Sequence, residues 1–188
     1  HTMTHIKLRG KVSSNVDDLE QQHCIFPWVP GREHIRPTDD IKMKKIDFLN
    51  RDILSYQTEA DYVWDVIFHL PTQRNSHGQI FVSSSSLPLP HTHRFTPNIF
   101  PYQVPNGTHH YVLWYAQMIT DITQRPSDDV ITCDIENALR EVLKGDEFEF
   151  VWDENPKMTI QSVYHLQVFW CQKGSNSHIK KKKKNKNK

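Results

Sequence analysis

TIQSVYHLQVFW, residues 159–170, is the stretch whose reading decides the fold. Its second half is dense in β-branched and aromatic residues and runs without proline or glycine, which predicts a strand. Side chains alternate along a strand. Gln161, Val163, His165, Gln167 and Phe169 then share one face, and Ile160, Ser162, Tyr164, Leu166, Val168 and Trp170 share the other. The second face reads as core. The first is mixed, as the wall of a pocket would be.

Upstream, EFEFVW (147–152) alternates like a half-buried strand, and only DENPKM separates it from the final one. So short a connection predicts antiparallel neighbours. SDDVITCDIENALREVLKG (127–145) predicts a helix whose buried stripe is Ile135, Ala138, Leu139, Val142 and Leu143, with Gly145 taking the left-handed position after its end. Cys133 is expected in its first turn, as a small buried residue. HHYVLWY (109–115) is apolar on both faces, which suits a central strand. Its faces are His110, Val112 and Trp114 against His109, Tyr111, Leu113 and Tyr115. The preceding PNG (105–107) signals a turn, with NIFPYQV as the strand partner before it.

Helices are expected over residues 40–70. In TEADYVWDVIFHLP, Thr58 and Asp61 have the spacing of a capping box. Tyr62, Val63, Val66, Ile67 and Leu70 make the buried face, and Pro71 ends the helix. Residues 71–98 read as a long Ser-, Pro- and His-rich connection, with QIFV as a short strand. The fold class is therefore α+β: a largely antiparallel sheet, N-terminal helices, and one helix packed on the sheet. Residues 1–38 are expected to be mostly irregular, 39–172 to form a single domain, and 173–188 to be a disordered Lys-rich tail.

The 188 residues carry a formal charge of +1 and a mean hydropathy of −0.66. Seven lysines within residues 180–188 exceed that charge, so the remainder stands at −6. The body lacks the basic patch of a nucleic-acid domain, and the tail would bind nucleic acid only non-specifically. No apolar run approaches the roughly 18–20 residues of a membrane span. The opening HTMTHIKLRG has neither an initiator methionine nor the apolar core of a signal peptide, and reads as a trimmed end. Cys24, Cys133 and Cys171 are far apart and form no CxxC pair, which argues against a disulfide framework and a Cys-rich zinc site. An intracellular, cytoplasmic location is expected, with the nucleus reachable through the tail. HTH (91–93), His77, His109, His110 and His165 supply imidazoles, but no Cys, Asp or Glu lies near HTH, and no metal site is expected. Neither a Gly-rich phosphate loop nor any other motif calls for a cofactor.

Three stretches resemble the N-acetylglucosamine-induced protein family, an uncharacterised eukaryotic family. LNRDILSY (49–56) resembles an early helical segment. PNIFPYQVPNGTHHYVLWY (97–115) resembles an Asn-x-x-Pro-Tyr turn leading into a His-bearing strand, at Asn98, Pro101, Tyr102, His110 and Trp114. NPKMTIQSVYHLQV (155–168) resembles the closing segment, at Asn155, Thr159, Ile160, His165 and Val168. The last stretch is also similar, more remotely, to the histidine-triad fold. That likeness implies a phosphate-handling strand in which the middle histidine attacks phosphorus. Gln167 stands at that place here, and Phe169 at the third histidine. A carboxamide cannot form a phosphohistidine, though it can hydrogen-bond a phosphate or sugar. The expected site is thus a ligand pocket walled by Asn98, Tyr102, His110, Asn155, His165 and Gln167. Its ligand would be a small polar or phosphorylated metabolite, a nucleotide or sugar phosphate. A hydrolase or transferase with His110 or His165 as general base is the alternative. A third reading is an interaction module using IFPWVP (25–30) or the tail.

Overall fold

A four-stranded antiparallel sheet lies between helices on both of its faces. The computed structural model describes residues 37–89, 91–104, 106–118, 125–144, 147–154 and 158–172. Most of the N-terminal segment, Gly145, Asn155 and the Lys-rich tail lie outside the described residues. The elements are α1 (Asp39–Arg51), α2 (Glu59–Val66), β1 (Thr72–Arg74), β2 (Ile80–Val82), β3 (His93–Pro97), β4 (His109–Met118), α3 (Asp128–Leu143), β5 (Phe148–Asp153) and β6 (Val163–Gln172). Short 3-10 turns occupy Ile53–Ser55 and Ser84–Ser86. The main sheet has the order β3-β4-β6-β5, with every neighbour antiparallel. Strands β4 and β5 therefore run parallel to each other with β6 inserted between them, and α3 carries the chain across. The expected α+β class with an antiparallel sheet is what the chain adopts.

Both faces of β6 are buried from Val163 to Cys171. One face, with Tyr164, Leu166, Val168 and Trp170, packs on α3 through Ile131, Ile135 and Leu139. The other carries Val163 into a second core with Val112 and Trp114 of β4 and with Ala60, Val63 and Trp64 of α2. The faces thus alternate as the sequence predicts. Polar stitches tie α3 to the sheet: Tyr115 Oη donates to Asp134 Oδ2 at 2.7 Å and Trp152 Nε1 to Thr132 Oγ1 at 3.3 Å.

The capping box forms at α2. Asp61 N–H donates to Thr58 Oγ1, and Asp61 Oδ2 accepts from the Thr58 N–H and hydroxyl. The same buried carboxylate reaches further, since its Oδ1 accepts from Val82 N–H at 2.8 Å. One side chain therefore starts the helix and anchors the β1–β2 hairpin. That hairpin turns at Asn75–Gly78, where Asn75 Oδ1 accepts from His77 and Gln79 N–H and Gly78 takes φ 78°.

Several expectations are corrected. Helix α2 stops at Val66 rather than at Pro71. Its last turn widens, with Phe68 N–H bonding back to Val63 O and Leu70 N–H to Trp64 O, and His69 enters the left-handed region at φ 57°. The widening buries Phe68 and leaves Val66 exposed. On α3 the buried row is Ile131, Ile135 and Leu139, a strict i, i+4, i+8 line, while Val142 is 50% exposed. Cys133 lies beyond the first turn, which begins after the Ser127 cap, and it is exposed. The left-handed residue closing α3 is Lys144, at φ 50°. Thr72–Arg74 and His93–Pro97 are strands where a loop was expected, and β3, not NIFPYQV, pairs with β4. Cys171 is disulfide-bonded, where the cysteine spacing argued against a disulfide framework. No helix among the described residues is long and apolar enough to cross a membrane.

Leu139 has no exposed surface. Leu139→Ala is expected to cost about 2–5 kcal/mol, the range for a leucine removed from a packed core. Val142→Ala is expected to stay within about 0.5 kcal/mol. Denaturant unfolding of the two variants checks the assignment of the stripe, and equal costs would refute it.

Candidate functional site

The site grows from the register of β4 against β6. His110 stands opposite Phe169, Val112 opposite Gln167, and Trp114 opposite His165. All six share one sheet face, so His110 and His165 lie on the same side, as the alternation requires. Phe169 stacks under His110, with centroids 4.2 Å apart and planes at 17°. Trp114 stacks on His165 at 4.4 Å and 27°.

His110 is locked into a network with no ring nitrogen to spare. Tyr102 N–H donates to Nδ1 at 2.9 Å, so Nδ1 holds the lone pair and Nε2 holds the proton. Nε2–H then donates to Gln167 Oε1 at 2.5 Å. The same oxygen accepts from Asn98 Nδ2 at 3.0 Å. Asn98 Oδ1 in turn accepts from Phe100 N–H at 2.8 Å, and its backbone N–H donates to His110 O at 2.9 Å. The chain from Asn98 to Tyr102 is thereby pinned onto the sheet. Burial pushes the His110 pKa down to about 4, with the Gln167 bond opposing the shift.

His165 is arranged differently. A carbonyl only accepts, so the 2.9 Å contact between Nδ1 and Val163 O places the proton on Nδ1. Nε2 therefore presents a lone pair, and no described residue donates to it. The residue is only 5% exposed. Burial lowers its pKa; the Val163 bond opposes this and the nearby Lys45 charge adds to it.

A cavity of ≈ 120 Å³ opens beside His165. Its polar wall is Lys45, Asn98, Thr159, His165 and Gln167, and its apolar wall includes Phe48, Tyr62, Phe100, Trp114 and Ile160. Tyr102 also lines it. Gln167 serves two functions: its oxygen is committed to the network, while its amide nitrogen has no hydrogen-bond partner among the described residues. Of the residues expected from the sequence, Asn98, Tyr102, His165 and Gln167 meet at the cavity. His110 is not in the wall and stands behind it, orienting Asn98 and Gln167. Asn155 lies outside the described residues.

Lys45 was not anticipated. It falls in the row Ile41, Lys45, Phe48, Leu49, the half-buried side of α1. A lysine in a slot that the helical period assigns to the interior is the signal that would have found it. Among the described residues no group of three or more His, Cys, Asp or Glu is placed to hold a metal ion.

No protein-family model matches the chain, and no curated protein matches it. Among solved structures, the crystal structure of HTC1 is similar at a TM-score of 0.41 and 15% identity, over 73% of this chain and 76% of that one. Likeness at that level bears on neither fold nor function.

Two predictions follow from the network. Gln167→Leu leaves the His110 Nε2–H and the Asn98 amide without their acceptor, so stability is expected to fall by about 1–3 kcal/mol. An unchanged or raised denaturation midpoint would mean the amide is not structural. The second concerns acid. An unfolded His110 takes up its proton near 6.5, the folded one only near 4. The unfolded state therefore binds more protons inside that window, and stability is lost as pH falls through it and is complete above it. His165 acts in the same direction. Denaturant unfolding at a series of pH values is expected to show this slope, and His110→Asn to reduce it.

Proposed function

We propose that the chain binds a small polar metabolite in the cavity beside His165, and that it binds without turning it over. The observation that carries this reading is the Nε2 lone pair of His165, which borders the cavity and has no donor among the described residues. An acceptor at a largely apolar cavity is poorly served there, and a ligand hydroxyl or N–H would satisfy it. Gln167 adds an amide donor and Asn98 a further polar edge, against aromatic walls suited to a flat molecule.

Binding is favoured over catalysis on chemical grounds. The resemblance to phosphate-handling histidine strands would put the nucleophile at residue 167, and a carboxamide does not attack phosphorus. His110, the other candidate base, has both nitrogens engaged inside the protein. A general base is most effective with a pKa near the working pH, and both histidines are shifted below the ordinary value. IFPWVP and the Lys-rich tail, on which an interaction module would rely, lie outside the described residues.

A thermal-shift screen with small polar acids, sugars, sugar phosphates and nucleotides tests the reading. A ligand at ~100 times its dissociation constant adds about 2.7 kcal/mol of stability. His165→Phe keeps a ring stacked on Trp114 but removes the acceptor. Its expected outcome is a melting temperature close to the native one with the ligand shift lost. Turnover of a nucleotide or sugar phosphate by the native chain would overturn binding in favour of His165 as a general base.

A further inference from the structure

We infer that the ligand of this cavity is a small ring-bearing carboxylate with a single negative charge, its carboxylate held by Lys45 and a hydroxyl or N–H of the ring held by His165 Nε2. The inference rests on the cavity being a ligand site and adds the charge and chemical class of what enters it.

Charge comes first. Among the described residues of the wall, Lys45 is the one basic side chain besides the neutral His165, and none is Asp, Glu or Arg. Half-buried on α1, Lys45 makes no ion pair or hydrogen bond with a described residue. Lys42, one turn earlier and exposed, has its carboxylate in Asp39 at 2.8 Å. Burial alone lowers the Lys45 pKa, with no carboxylate acting to raise it. A cation taken partly out of water without a counter-ion is a cost that an incoming anion offsets. One ammonium neutralises one charge. A phosphate monoester brings about −1.5 to −2 and three strong acceptor oxygens. Phosphate sites that hold a dianion add arginine forks, helix N-termini or glycine-rich turns to any lysine. The described residues of the wall include neither arginine nor glycine. A carboxylate, with one charge and two oxygens, matches Lys45 together with the free Gln167 amide nitrogen.

Shape and polarity supply the rest. The cavity of ≈ 120 Å³ is close to the ~150 Å³ apolar cavity that accommodates benzene. The enclosed part has room for one ring. Phe48, Tyr62, Phe100 and Trp114 offer ring faces and edges to a planar guest. His165 Nε2 lacks a proton, so the group facing it must donate.

Isothermal calorimetry at pH 7 with 4-hydroxybenzoate, 4-hydroxybenzamide, benzoate and phenyl phosphate tests each part. The native chain is expected to bind 4-hydroxybenzoate at least about ten-fold more tightly than its neutral amide, a 1.4 kcal/mol difference. It is also expected to prefer 4-hydroxybenzoate to benzoate and to phenyl phosphate. Lys45→Met, which keeps length and apolar stem, should erase the preference for acid over amide, and Lys45→Arg should retain it. His165→Phe should erase the preference for the hydroxyl alone. Equal binding of acid and amide by the native chain, or an unchanged ratio in Lys45→Met, overturns the charge assignment while leaving the cavity as a ligand site. Tighter binding of phenyl phosphate overturns the carboxylate class. Failure of all four probes to bind the folded native chain overturns this inference, and failure across the wider screen overturns the site itself.

Discussion

A strand buried on both faces has no water for its polar side chains, and β6 is such a strand. Each hydrogen-bonding group it carries must find a partner in the protein or remain a cost of about 1–3 kcal/mol. Gln167 and His165 sit side by side on one face and meet this demand in opposite ways. Gln167 Oε1 gathers two donors, from His110 and Asn98, one strand away and one loop away. His165 turns one nitrogen back to its own strand at Val163 and leaves the other open. The first solution organises the protein, and the second leaves a vacancy in its bonding.

The Gln167 hub explains why a loop without regular structure can form part of a wall. Asn98 is held at both its side chain and its backbone, and Tyr102 is held through His110 Nδ1. The residues between them are thereby fixed over the sheet with Phe100 on the cavity side. On the opposite rim, Phe48 of α1 packs edge-on against Tyr62 of α2 at 5.1 Å and tilted against Phe100 at 5.3 Å. Helix α2 is positioned by Asp61, whose carboxylate caps its start and grips Val82. Two buried polar networks, one centred on Gln167 and one on Asp61, thus set the two sides of the cavity. Apolar packing fills the space and fixes which face each residue takes, and the polar contacts add the directionality that packing lacks.

The sequence made legible what depends on period and on local chemistry. Alternation assigned the faces of β4 and β6, the Thr58–Asp61 spacing located a helix start, and PNG located a turn in which Gly107 takes φ 86°. It failed where tertiary contacts override local pattern. Val66 and Val142 fit an apolar stripe but are exposed, because α2 widens to bury Phe68 and α3 meets the sheet along a single row. Thr72–Arg74 is exposed and polar, and it is a strand only because β2 pairs with it. Strand β3 contains Pro97 at its end and His93 at its start, so its pairing with β4 has no period to announce it. The site was legible in part for the same reason. His165, Gln167 and Asn98 belong to motifs with recognisable spacing. Lys45 comes from a helix that has no fully buried residue, so its place in the inward row is a faint signal until the opposite wall is known.

Three polar groups with no partner among the described residues meet at one place. The His165 Nε2 lone pair, the Gln167 amide nitrogen and the Lys45 ammonium all border one small cavity. Gln167 is also held by its structural role at the hub, but His165 and Lys45 have no such tie: a phenylalanine or a methionine would fit in their places. Folding alone gives no reason to retain the His165 Nε2 acceptor and the Lys45 ammonium at one void, whereas the carboxylate of Asp61, as buried as His165, is satisfied by three donors. A chain meets most of its local rules, and the places where several are broken together are where stability has been traded for something else. An acceptor, a donor and a cation around an aromatic-walled space are complementary to a molecule with a donor, an acceptor and a negative charge. The unsatisfied groups and the ligand they describe are two statements of the same constraint.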